Sequence, residues 1–194
     1  SIDDGRQWWA NWARREVASL GITGAWIDMN DPSTGPSENS EMLFDGGKRP
    51  HESFHNQYAL GMAKATHEAF RQAHPDSRPF LLTRSGYTSI NRYAAAWTGD
   101  NYSNARHLRS SIPTSLNLAL SGLPFNGPDV CGFGGDATAE LAIAWYKAGF
   151  LFPFLRNHAS HSTRSQEPWA FGSRTMRIIR RYIRLRYKLL PYLN

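Results

Sequence analysis

Residues 24–32 read Gly24-Ala25-Trp26-Ile27-Asp28-Met29-Asn30-Asp31-Pro32. A short apolar run that follows Gly21 and ends on an acid reads as a buried strand over 24–27 with a carboxylate at its tip. Beyond it, 30–50 is rich in Pro, Gly, Ser and acids and reads as a long loop. Upstream, Asp3 and Asp4 suit the cap of a helix that carries Trp9, Trp12 and Leu20 and stops at Gly21. Downstream, Tyr58, Met62, Ala65 and Ala69 share one side of a helix over about 54–74. A second strand, 79–83, then ends at Arg84.

The alternation of helix and strand continues to the end of the chain. A third strand, 94–98, leads into Asp100 after only about ten residues, the short limit for a crossover helix. A helix over 104–121 is expected to be kinked or broken at Pro113 and closed by Gly122. A fourth strand, 123–127, leads to Asp129, and Thr138 then caps a helix with Glu140 in its first turn. A fifth strand, 150–155, runs into Arg156-Asn157-His158, and a basic helix follows. This order belongs to a parallel α/β sheet. A doubly wound sheet brings only the strands beside its switch point to a common site, whereas a (β/α)8 barrel gathers every strand end on one face. Five strands delivering Asp28, Arg84, Asp100, Asp129 and Arg156-Asn157-His158 therefore point to the barrel. Because a closed barrel needs eight strands, the expectation is α/β, a partial (β/α)8 TIM barrel comprising about strands 4–8 with their helices. With no internal repeat or linker, residues 1–194 read as one domain whose upstream strands are missing.

Composition narrows the function classes. Of 194 residues, 41% are apolar and 20% charged, a globular balance without low-complexity tracts. No apolar run approaches the roughly 20 residues of a membrane span, and nothing at the N-terminus reads as a signal peptide. Cys131, the single cysteine, excludes an internal disulfide and fits a reducing, cytoplasmic setting. The formal charge of +6 invites a nucleic-acid reading. Much of the excess, however, sits in Arg174, Arg177, Arg180, Arg181, Arg184, Arg186 and Lys188. Met176, Ile179, Ile183, Tyr187 and Leu190 recur there at helical spacing, so the basic residues read as a solvated or internally paired face. Neither nucleic acid nor membrane is an expected partner.

Two stretches carry the chemistry: residues 26–32, with Asp28, and Trp97-Thr98-Gly99-Asp100-Asn101. A glycosidase needs one ionised and one protonated carboxyl group flanking the scissile bond, and aromatic faces suit sugar rings. Spacing alone leaves helix capping or ion pairing as equally good readings of these aspartates. The scattered histidines follow no metal-ligand spacing, and Gly132-Phe133-Gly134-Gly135 lacks the context of a phosphate loop. Cys131 reads as a packed thiol.

Taken together, WIDMNDPS at 26–33, HNQYALGMAKATHEAF at 55–70, LLTRSGY at 81–87, RYAAAWTGDN at 92–101, SIPTSLNLALSGLPFNGPDVCGFGG at 111–135, FPFLRNH at 152–158 and EPWAFG at 167–172 resemble glycoside hydrolase family 31 through almost the whole chain. The resemblance implies a retaining hydrolase releasing terminal α-linked glucose by double displacement, with no metal or organic cofactor. It implies Asp28 as nucleophile and Asp100 as acid/base, Arg84 and His158 as ligands of sugar hydroxyls, Trp26, Met29, Trp97 and Phe133 as pocket walls, and Asp129 as a supporting acid. The two catalytic carboxyl groups are then expected about 5–5.5 Å apart. Position 31 departs from the pattern: Asp stands where the family's motif has Glu, which implies altered support behind the nucleophile.

The expected partners are an α-glucoside or oligosaccharide and the remainder of the same enzyme, or a partner chain, to complete the barrel. Within the family the rivals are a transglycosylase, an α-glucan lyase and an α-xylosidase. Outside it the rival is a non-catalytic glycan-binding half-barrel, with nucleic-acid binding third.

Overall fold

A computed structural model describes residues 3–34 and 41–193. The chain divides into two compact units, Ser1–Ala96 and Trp97–Asn194. In the first, α1 (Asp3–Glu16), β1 (Gly24–Ile27), α2 (His51–Ala73) and β4 (Phe80–Thr83) follow in order, with a small hairpin of β2 (Leu43–Phe44) and β3 (Arg49–Pro50) ahead of α2. The last strand, β5 (Ala95–Trp97), runs into the second unit. β1 pairs parallel with β4, setting Gly24 against Phe80 and Ile27 against Thr83. β4 pairs parallel with β5, setting Leu82 against Ala95. Gly24 is required by this approach, since a Cβ there would meet the Phe80 carbonyl oxygen at 2.2 Å. α1 and α2 meet through Ala10, Ala13, Ala65 and Ala69, with Trp9 packed against them. The Trp9 indole N–H donates to Thr66 Oγ1 at 2.9 Å, which satisfies its polar edge.

The second unit holds α3 (Ala105–Leu120), β6 (Asn126–Gly127), β7 (Asp129–Val130), α4 (Ala139–Gly149), β8 (Arg156–Asn157) and α5 (Ser173–Leu193). β7 and β8 pair parallel, Asp129 opposite Arg156 and Val130 opposite Asn157. The core of this unit is Val130, Cys131, Ala142, Trp145, Tyr146 and Ile179. Asn104 caps α3 by accepting from the His107 N–H at 2.8 Å, and Thr138 caps α4 by accepting from the Leu141 N–H at 3.2 Å. Among the described residues, no helix is long and apolar enough to cross a membrane.

Several local expectations are corrected. Asp3 and Asp4 lie in the first turn of α1 rather than before it, and the chain passes Glu16 into a 3-10 turn, Ala18–Leu20, before Gly21 closes it at φ 84°. The expected loop 30–50 contains the β2–β3 hairpin, turned by Asp45, Gly46 and Gly47 at positive φ; residues 35–40 of that loop lie outside the described residues. α3 runs unbroken through Pro113. Strand 123–127 shrinks to Asn126–Gly127 because the Asn126 amide takes the Leu123 carbonyl at 2.7 Å and Pro124 has no N–H to give. The stretch 150–155 forms no strand at all. Arg186 on α5 donates to the carbonyls of Phe150 (3.1 Å), Pro153 (2.7 Å) and Phe152, which removes them from any ladder, and Pro153 lacks a donor. Arg186 therefore belongs to the inward side of the basic helix, with Ile179, Tyr182 and Ile183, while Tyr187 is exposed.

Candidate active site

In the first unit the site is built where β1 and β4 end. Trp26 within β1 and Met29 just past Asp28 each keep about half of their surface open. The Arg84 N–H donates to the Ile27 carbonyl at 3.1 Å, which carries the β1–β4 ladder to the rim and sets Arg84 beside Asp28. Arg84 Nη1 lies 3.0 Å from Asp28 Oδ1. Its Nη2 donates to Asp31 Oδ2 at 2.6 Å, to Ser33 Oγ at 2.6 Å and to Met29 Sδ at 3.4 Å, while Nε faces Asp31 Oδ1 at 3.4 Å. Ser33 Oγ in turn donates to Asp31 Oδ2 at 2.6 Å. Partial burial pushes the Asp31 carboxyl up, but the hydrogen bonds from Arg84 and Ser33 and the guanidinium charge outweigh it and hold it below its ordinary value.

The backbone of this loop is fixed by Asn30. Its buried side chain donates to Thr83 Oγ1 at 2.8 Å and accepts from the Ser85 N–H at 3.2 Å, while Thr83 Oγ1 donates to the Ser85 carbonyl at 2.7 Å. Met29 takes a left-handed φ of 59°, so the chain turns sharply just past Asp28.

In the second unit, Asp100 is exposed and lies between Gly99, at φ 79°, and the buried Asn101. The Asn101 side chain donates to the Asp129 carbonyl at 2.9 Å and accepts from the Phe133 N–H at 3.1 Å. Its own carbonyl accepts from the N–H groups of Phe133 (2.8 Å) and Gly134 (2.9 Å). Gly132 is needed for this approach: φ is 92° and a Cβ would fall 2.4 Å from the Ser103 nitrogen. Asp129 is fully buried, and Arg156 donates to its Oδ1 at 2.8 Å. The same guanidinium lies 5.2 Å above the Trp97 ring, which is itself buried. Phe133 stacks on His158 at 5.3 Å and 25°. The His158 loop is tied down by Gln166, whose amide donates to Asn157 Oδ1 at 2.8 Å and to the carbonyls of His158 and Gly132 at 3.2 Å.

The residues expected from the sequence thus gather in two groups. Asp28, Met29 and Arg84, just past the ends of β1 and β4, form one, with Trp26 on β1 beside them in sequence. Asp129, Trp97, Phe133 and His158, with the Asp100 loop held by Asn101, form the other. Asn30, Ser33, Asn101 and Gln166 were not among the candidates, and Arg156 was read only as a strand-end group. All but Gln166 lie inside quoted motifs, so the signal was local and legible. The partners of Gln166 are mostly backbone carbonyls, which no motif announces. Elsewhere in the first unit, Trp8, Trp9, Phe44, Phe54 and Tyr58 line a cavity of about 320 Å³ that none of the candidate residues reaches. Among the described residues, no group of three or more His, Cys, Asp or Glu is placed to hold a metal ion.

Parallel strands flanked by helices thus lead into acids and bases at or just past their ends. The model of the glycosyl hydrolases family 31 TIM-barrel domain matches residues 2–194, and the chain belongs to that family. Its fold is accordingly α/β, part of a TIM barrel. It is 44% identical over 193 residues to Alpha-glucosidase 2 of Bacillus thermoamyloliquefaciens, covering 97% of this chain and 24% of that protein. The crystal structure of an ER glucosidase II heterodimeric complex superposes with a TM-score of 0.89 at 35% identity, over 98% of this chain and 22% of that one. The Flavobacterium johnsoniae dextranase FjDex31A, complexed with glucose, gives a TM-score of 0.87 at 31% identity, over 97% and 24%. The chain therefore spans about a quarter of the length of such relatives.

Proposed function

We propose that the protein containing this chain is a retaining glycoside hydrolase that releases terminal α-linked glucose. The observation that carries the reading is Asp28, set at a strand end in a family 31 barrel with the Arg84 guanidinium 3.0 Å away. Asp28 attacks the anomeric carbon while Asp100 protonates the departing glycosidic oxygen, which gives a covalent glucosyl ester. Asp100 then takes a proton from water as it attacks that ester, and the configuration is retained. Arg84 and His158 bind hydroxyls of the sugar. Trp26, Met29, Trp97 and Phe133 shape the pocket, and Asp129 supports it through Arg156. The α-glucosidase names of the relatives favour glucose as the sugar cleaved. The remainder of the same polypeptide, or a partner chain, completes the barrel.

Asp100→Ala in the full-length enzyme tests the assignment. Activity on poor leaving groups is expected to collapse, activity on an activated aryl α-glucoside to survive in part, and azide to restore some turnover as the α-glucosyl azide. Equal loss on both substrates without rescue would remove Asp100 from the acid/base role. An unsaturated or anhydro product would identify a lyase instead.

A further inference from the structure

We propose that Asp31 and Ser33 are positioning residues that hold Arg84 off full engagement with the nucleophile, so that Asp28 is met through one oxygen and keeps the other for attack. The proposal rests on the reading of Asp28 as nucleophile. A guanidinium beside a carboxylate prefers to pair through two parallel N–H···O bonds. Left with Asp28 alone, Arg84 would take that form and occupy both oxygens of the group that must attack carbon.

The structure has the paired edge of Arg84 turned elsewhere. Nη2 and Nε face Asp31, at 2.6 and 3.4 Å, while Nη1 approaches the buried Asp28 Oδ1 to 3.0 Å as an ion pair without hydrogen-bond geometry. Ser33 locks the arrangement: its hydroxyl donates to Asp31 Oδ2 and accepts from Arg84 Nη2, both at 2.6 Å. The Ser33 N–H is itself fixed on the Met29 carbonyl at 3.0 Å, so the hydroxyl is delivered by the same turn that follows Asp28. Charge supports the geometry. Two carboxylates share one cation here, so Asp28 is steadied by Arg84 without being fully neutralised by it. The short side chain at position 31 works together with the Ser33 hydroxyl, which fills the corner between the acid and the guanidinium.

The test uses the full-length enzyme and a 5-fluoro-α-glucosyl fluoride, which traps the covalent ester, with the labelled peptide mapped by mass spectrometry. In the parent enzyme the label falls on Asp28. Asp31→Asn is expected to slow trapping and kcat by about tenfold or more with KM changed less than about threefold, and Ser33→Ala to slow them by about three- to tenfold. Asp31→Glu, which restores the charge, is expected to recover most of the rate. Trapping at the parental rate in Asp31→Asn and Ser33→Ala overturns the positioning role while leaving Asp28 as nucleophile. So does a loss that Asp31→Glu fails to rescue and that follows the loss of melting temperature across all three variants. If Asp31→Asn does not fold, Ser33→Ala alone decides. A label on another residue in the parent overturns the site reading itself.

Discussion

Asn101→Ala is the substitution that best separates placement of the proposed acid/base, Asp100, from the rest of the machinery. The side chain lies in a buried setting and joins the residue after Asp100 to two others, donating to the Asp129 carbonyl at 2.9 Å and accepting from the Phe133 N–H at 3.1 Å. The Phe133 N–H keeps the Asn101 carbonyl at 2.8 Å and the Asp129 carbonyl keeps the Gly132 N–H at 3.1 Å, so truncation removes two buried hydrogen bonds and strands neither group. Two lost buried hydrogen bonds, at about 1 kcal/mol each, amount to about 2 kcal/mol. Taken from the seated conformation of the Asp100 loop, that is about a thirtyfold fall in kcat wherever proton donation limits the rate. In the full-length enzyme, kcat and KM would be compared on an unactivated α-linked disaccharide and on an aryl α-glucoside with a good leaving group. The disaccharide is expected to lose about thirtyfold in kcat and the activated substrate less than about threefold. Equal losses on both, or none on the disaccharide, would refute the claim that Asn101 acts through Asp100.

Other outcomes follow from single features. The Asp31 carboxyl is held below its ordinary value of 3.8, so the stability it contributes is present above that value and is lost as pH falls through its lower folded value. The difference in melting temperature between parent and Asp31→Asn should therefore shrink once the pH drops below about 4; a constant difference down to strong acid would contradict this. Burial pushes the Cys131 thiol up to about 12, so a thiol-specific reagent at about pH 8 should label it only after unfolding, and rapid labelling of the native enzyme would show that the core around it opens. The 194-residue chain alone is expected to hydrolyse an aryl α-glucoside far more slowly than the full-length protein, because it spans about a quarter of its relatives. Equal turnover by the monomeric chain would show that the remainder is dispensable.

Much of the framework was legible because it rests on local pattern. The apolar run 24–27 became β1 with the bounds expected, and the helical spacing of Tyr58, Met62, Ala65 and Ala69 became α2. Failures came where long-range hydrogen bonds overrode local apolarity. Residues 150–155 have strand composition, yet their carbonyls go to Arg186 from α5, some 35 residues away. For Arg186 the sequence leaves a solvated and an internally paired face open, and the structure takes the second, its long side chain reaching inward to the carbonyls of Phe150, Phe152 and Pro153. The β2–β3 hairpin was missed although Asp45-Gly46-Gly47 is a turn signal, because the surrounding Pro, Gly and Ser residues outweighed it. At the site, the residues expected to touch substrate were named, and those expected to orient them were mostly not. An orienting role depends on a partner's backbone, and backbone groups carry no sequence identity.

The reciprocal amide pairing of Asn157 and Gln166 has a consequence for how this chain can be varied. Asn157 donates to the Gln166 carbonyl at 2.7 Å, and Gln166 returns a bond to the Asn157 side chain at 2.8 Å, so the intervening chain begins and ends at one knot. The stacked His158 sits inside that knot, whereas His161 and Ser162 form the exposed outer bend. Residues grafted at 161–162 would therefore lengthen a loop whose two feet are already nailed together, at a cost of about 0.6 kcal/mol for each doubling of its length. The imidazole would stay where it is. The bend is thus a place where new contacts can be added by insertion without retuning the residues proposed to hold the sugar.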